Sequence, residues 1–139
     1  MHRMGRDGIL KVTVEILEGR SPEQKASIVK AILEAILNAF SIPRDSVTVR
    51  VVEASFCNMA SSGKLRSDTA EGESKYGALL EPRLTVLYTN EHSVDQRRKA
   101  VKQMTEKISE ITGVSANDIL IFFQHTSDGT FVPKRESLP

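Results

Sequence analysis

Residues 10–53 read LKVTVEILEGRSPEQKASIVKAILEAILNAFSIPRDSVTVRVVE, and this stretch decides the fold. It opens with alternation: Val12, Val14 and Ile16 on one side, Lys11, Thr13 and Glu15 on the other. A period of two residues is that of a β-strand with one covered face. The segment EGR then turns the chain. Ser21-Pro22-Glu23-Gln24 is a helix start: the serine hydroxyl caps an orphan amide, proline suits the first helical position, and Gln24 is spaced for a capping box. Ile28, Val29, Ile32, Leu33, Ile36 and Phe40 follow as one apolar stripe of helical period. The helix is expected to stop before Ile42-Pro43, because the residue before a proline avoids helical backbone. Residues 46–52 alternate again as a second strand.

The same pattern returns 72 residues later without a gap. Val12, Val14 and Ile16 overlay Leu84, Val86 and Tyr88. Ser21 and Gln24 overlay Ser93 and Gln96. Val29, Ile32 and Ile36 overlay Val101, Met104 and Ile108, and Val47, Val49 and Val51 overlay Ile119, Ile121 and Phe123. Gly113 is placed to end the second helix. The chain is thus two copies of a strand–helix–strand unit. The expected fold class is α/β: a tandem β-α-β repeat forming a four-stranded sheet with two helices on one face. Each unit holds parallel strands joined by a helical crossover. The expected organisation is one domain over 1–139, with unit one at 9–53, a connecting loop at 54–81, unit two at 82–131 and a tail at 132–139. A unit of about 60 residues is marginal alone, so the two are expected to share a core.

Composition narrows the function. Nineteen basic and eighteen acidic residues leave a net charge of +1, so no global field draws nucleic acid or an anionic membrane. Two tyrosines, five phenylalanines and no tryptophan offer little surface for stacking bases. No apolar run of membrane-spanning length is present, and residues 1–8 lack a signal-peptide apolar region. The one cysteine, Cys57, cannot form an internal disulfide. A cytoplasmic location is the expectation. In the connecting loop, Ser62-Gly63-Lys64 is not a phosphate loop, since the earlier glycine that motif needs is replaced by Asn58. The three histidines lack metal-ligand spacing, and neither metal nor cofactor is expected.

The open sheet face would carry Lys11, Thr13, Glu15, Thr48 and Arg50, but also Leu87, Leu120 and Phe122. Parallel strands are usually covered on both faces. Other copies of the chain are the expected cover.

The stretch Leu17-Glu18-Gly19-Arg20-Ser21, followed by Glu23-Gln24-Lys25, an amphipathic helix and a Pro43 turn into Ser46-Val47, resembles 4-oxalocrotonate tautomerase. The resemblance runs through residues 10–53. Residues 82–131 keep the spacing with fewer shared letters, so the whole resembles fused, two-unit tautomerase-superfamily members such as malonate semialdehyde decarboxylase. It implies a β-α-β fold, a homotrimer of fused chains and a small 2-oxo, enol or unsaturated carboxylate ligand.

It also implies a catalytic amino-terminal proline, whose secondary amine titrates near enough to neutrality to move protons. The position aligned with that proline is Leu10, inside the chain, where an amide nitrogen is not basic. Pro82 aligns in the second unit but is bonded through Glu81. By the same resemblance Arg20 matches a carboxylate-holding arginine, with His92 as its second-unit counterpart. A second family arginine aligns with Thr48, and Arg50 lies one pleat further on the same face. The family's aromatic after the last strand aligns with Met59 and with Phe131. Arg20, Arg50 and Phe131 are therefore the expected substrate-binding residues, and the catalytic group is left open.

Each has a plainer reading. Arg20 could be a solvated turn arginine, and Arg50 an interchain partner of Glu15. Lys11 adds charge to the same face as Arg50. His125 could transfer a proton or simply sit at the surface. His2 lies in a polar end segment. Cys57 has no evident base to make it a nucleophile.

Overall fold

The computed structural model describes residues 8–55, 60–61, 64–65 and 82–126. Strand β1 (Leu10–Leu17) leads to helix α1 (Pro22–Ala39) and strand β2 (Val47–Ala54). Two short strands, β3 (Ala60–Ser61) and β4 (Lys64–Leu65), pair antiparallel within the connecting segment. That hairpin is too short to carry a sequence period, and the polar composition there reads only as loop. Then come β5 (Arg83–Tyr88), helix α2 (Val94–Thr112) and β6 (Leu120–His125).

The four long strands form one sheet in the order β2-β1-β5-β6. Within each unit the strands are parallel, and the units meet through antiparallel β1 and β5. This is the expected tandem β-α-β fold. The antiparallel junction makes the units head-to-tail neighbours about a pseudo-two-fold axis. Helices α1 and α2 accordingly run antiparallel: Gln24 Nε2 at the start of α1 donates to the Ile111 carbonyl at the end of α2, 3.3 Å, and Lys99 Nζ reaches the Asn38 carbonyl, 3.3 Å.

One core joins the units. Leu10, Val12, Val14 and Ile16 of β1, and Leu84, Val86 and Tyr88 of β5, lie buried beneath Ile28, Ile32 and Ile36 of α1 and Met104 and Ile108 of α2. The buried line of each helix is rotated from the sequence stripe. Ala31, Ala35 and Ala39 are buried in α1 and Ala100 in α2, whereas Val29, Leu33 and Val101 stay partly exposed. Small side chains let two antiparallel helices approach over the sheet, so the larger residues move to the flanks.

The caps differ between the units. Ser93 accepts from the Gln96 amide at 3.0 Å, while Gln96 Oε1 accepts from the Ser93 amide at 2.9 Å, completing a capping box. Ser21 accepts from the Gln24 amide at 3.0 Å, but the Gln24 side chain is spent on the cross-helix bond to Ile111. Helix α1 ends at Ala39, ahead of the proline as expected. Helix α2 ends on Gly113 in the left-handed conformation, φ 78°.

Candidate functional site

The head-to-tail arrangement gives the sheet two chemically different ends. At one end lie the finish of β1 and β2 and the start of β5 and β6. Glu15 pairs with Arg83 in register, so Pro82 stands beside the last turn of β1. The Glu18 amide donates to the Ala54 carbonyl at 3.0 Å, and the Leu120 amide to the Pro82 carbonyl at 3.4 Å. The first unit's strand-end arginine, Arg20, therefore shares its end of the sheet with the head of the second unit, not with Leu10.

Arg20 is 6% exposed. That corrects the reading of Arg20 as a solvated turn residue. Gly19, at φ 106°, sets the turn in a conformation other residues resist, and α1 begins directly after Arg20 with its capped amides. Around this end stand further charges. Lys25 Nζ of α1 meets Glu53 Oε2 of β2 at 3.2 Å. Arg83 Nε lies 3.8 Å from Glu15 Oε1, and its guanidinium sits 5.1 Å over the Phe122 ring. Sequence reading does not single out Arg83 and Phe122 as a pair, because only the β5–β6 register brings them together.

The opposite end holds the start of β1 and the finish of β5. Ile9 is tied down there: its amide donates to Thr89 Oγ1 at 2.9 Å, and its carbonyl accepts from the Thr89 amide at 3.1 Å. Leu10 is 1% exposed, a core residue. His92, the counterpart of Arg20, is also buried. Its ring packs on Phe40 at 4.2 Å and on Tyr88 at 5.3 Å, and His125 lies on the other side of Tyr88 at 5.2 Å. Burial lowers the His92 pKa, and the nearby Arg97 and His125 lower it further against the opposing charge of Glu91. The surroundings therefore favour the neutral form of this imidazole. The Arg97 Nη1 group donates to the His92 carbonyl at 2.6 Å, and His125 Nε2 lies 3.0 Å from the Thr89 carbonyl. His125 is exposed. The alignment of His92 with Arg20 is the one sequence signal for this cluster.

The remaining expected residues are dispersed. Arg50 is exposed on the open sheet face, paired with Thr13. It sits four rows back from Ala54, roughly 13 Å of strand. Lys11 and Thr48 are exposed on the same face toward the other end. Glu15, offered as an interchain partner of Arg50, has Arg83 within its own chain. Phe131, Met59, Cys57 and His2 lie outside the described residues. Among the described residues no group of three or more His, Cys, Asp or Glu could hold a metal ion. No described helix is long and apolar enough to cross a membrane.

Residues 11–68 match the family model described as Tautomerase enzyme. A fused 4-OT wild-type asymmetric trimer matches over 89% of this chain and 92% of its own, at 18% identity and a TM-score of 0.73. The chain has the tautomerase-superfamily fold. Native fused 4-OT is similar over 89% of this chain and 92% of its own, with 14% identity and a TM-score of 0.74. Malonate semialdehyde decarboxylase is similar over 91% and 92%, with 21% identity and a TM-score of 0.59. No curated protein matches the sequence. The tautomerase fold thus extends through both units, although the family model covers only the first unit and part of the connecting segment.

Proposed function

We propose that this chain binds a small 2-oxo, enol or unsaturated carboxylate at the Arg20 end of the sheet and does so without an amino-terminal proline base. The observation that carries this reading is Arg20 itself: a buried residue with a guanidinium, just past a strand end, at the same end of the sheet as the head of the second unit. A buried cation favours an anionic partner far more than a solvated one does, and the guanidinium fork suits a carboxylate. Arg83 and Lys25 add positive charge at the same end. Arg50 and Phe131 complete the proposed ligand contacts, with Arg50 offered to a neighbouring copy from its exposed sheet face. The working assembly is a homotrimer, as in the fused 4-OT structures, and the location is cytoplasmic.

The chemistry is constrained by what heads each unit. Leu10 is a core residue reached through Ile9, and Pro82 is bonded through Glu81. Neither presents a secondary amine. The second reading, a ligand-binding or assembly subunit without catalysis, is favoured by this one feature. A keto–enol assay with an aryl enolpyruvate, run beside calorimetric titration with small dicarboxylates, separates the two. Binding with background turnover supports the non-catalytic reading. Turnover lost in Arg20→Ala supports an enzyme with a substitute base. Absence of carboxylate binding at millimolar concentration removes the enzyme and the ligand-binding module and leaves only the assembly subunit.

A further inference from the structure

We infer a second ligand site, independent of Arg20, in the groove between helix α2 and edge strand β6, and we assign it to an amphipathic monoanion such as an aryl-alkyl carboxylate. The groove is shallow and open to solvent, has a volume of about 320 Å³ and is lined by Val94, Arg97, Arg98, Val101, Lys102 and Phe123. On α2, positions 94, 97, 98 and 101 share one face at helical spacing. Val94 and Val101 supply the apolar wall from the helix, and Phe123 supplies the floor from β6. Among the described residues, three cations rim this space and no carboxylate lines it. In a chain of net charge +1 that is a local concentration of one sign. Asp95 comes within 4.0 Å of Arg98, but its side chain is 95% exposed and Arg98 is 78% exposed, so solvent weakens the pair.

The occupant follows from this pairing of an apolar floor with a basic rim. A purely apolar ligand would leave the cations unused, and a small inorganic anion would leave the floor wet. An anion with a hydrocarbon body satisfies both, with its carboxylate among the outer cations and its body along Val94, Val101 and Phe123. The volume lies at the lower end of small-ligand pockets. A two-fold contact would bring the same cations face to face, which Coulomb repulsion disfavours, and a three-fold contact through this groove is tested by the assembly mass. The inner wall is firm: the Phe123 ring meets Tyr88 edge-on at 6.2 Å, and Arg97 is anchored on the His92 carbonyl.

The test is calorimetric titration of the full chain with phenylbutyrate, with acetate as the probe lacking an apolar body. Phenylbutyrate is expected to bind once per chain and acetate far more weakly. Arg98→Glu combined with Lys102→Glu is expected to weaken phenylbutyrate at least about tenfold, as reversal of charge-assisted contacts requires. Arg20→Ala is expected to leave it unchanged. Equal affinity in the double variant overturns the assignment. So does loss of binding in Arg20→Ala, which would put the probe at the Arg20 end. A change of assembly mass in the double variant would also overturn it, making the groove a contact between copies.

Discussion

A single position separates the two ends of the sheet. Arg20 and His92 occupy equivalent places in the repeat, and both are buried, yet one carries a guanidinium and the other an imidazole whose pKa burial lowers. Removing the cation should therefore affect ligand binding at one end only. Arg20→Ala is expected to weaken a small dicarboxylate by about 2–3 kcal/mol, the loss typical of a truncated buried charge partner. Because Arg20 is buried, its stem also fills space, so Arg20→Met is the companion variant that keeps the stem and drops the charge. Equal losses in both variants by calorimetry assign the effect to charge. An affinity unchanged in both would leave Arg20 a structural residue. His92 gives a pH prediction of definite sign. Its folded pKa lies below the ordinary 6.5, so the unfolded chain takes up the proton first. The stability His92 contributes is complete above pH 6.5 and lost as pH falls through the lower folded value. The thermal midpoint should decline below that pH, and His92→Phe, which can keep the stacking on Phe40 and Tyr88, should flatten the decline. An unchanged slope would show that another group sets it.

At the scale of the element, the termini were legible in sequence and the buried faces only partly so. Ser21 and Ser93, Pro22 and Gly113 mark the helix ends where the structure has them, because capping is decided by residues within one turn. The same locality limits the reading. Nothing within one turn reveals that Gln24 would abandon the box for Ile111 across the helix pair. Likewise Ala31, Ala35 and Ala100 become core only once a second helix is close, and no single-helix stripe ranks alanine above Val29 or Leu33. The site divides in the same way. The motif marks Arg20, whereas its sharing a sheet end with Pro82 and the stacking of Arg83 on Phe122 depend on the β1–β5 and β5–β6 registers. The intact box makes a specific claim. Ser93→Ala should cost about 1 kcal/mol and Gln96→Ala less, since the serine satisfies an orphan helix amide directly. Urea unfolding with a shifted midpoint and unchanged slope is the measurement. Gln96→Ala costing as much as Ser93→Ala would mean the side-chain return bond, not the serine hydroxyl, holds the helix start.

At the scale of the whole molecule, the helices cover one face of the sheet, and among the described residues nothing covers the other. That open face is mixed. Phe122 is 46% exposed and Val52 39%, with Leu87 and Leu120 half-buried among Lys11, Thr13, Thr48 and Arg50. Isolated exposed apolar residues are ordinary, but a sheet containing parallel pairs is seldom left bare on one side. A closed trimer joins one patch of each copy to a different patch of the next, and three such faces packed about an axis would cover the leucines, bring Arg50 of one copy toward the ends of the next and leave the helix layer outward. The expected particle is three times the 15.4 kDa chain mass by light scattering at micromolar concentration. Phe122→Glu is the informative variant. Its ring is nearly half solvated in the single chain, so the fold should survive, but three carboxylates in the trimer centre would repel one another and lose their hydration, with only the Arg83 guanidinium close by, which also serves Glu15. The variant should therefore run as a monomer with helix content unchanged by circular dichroism. A wild-type chain that is already monomeric would remove the trimer. A Phe122→Glu protein that remains trimeric would move the interface off this face.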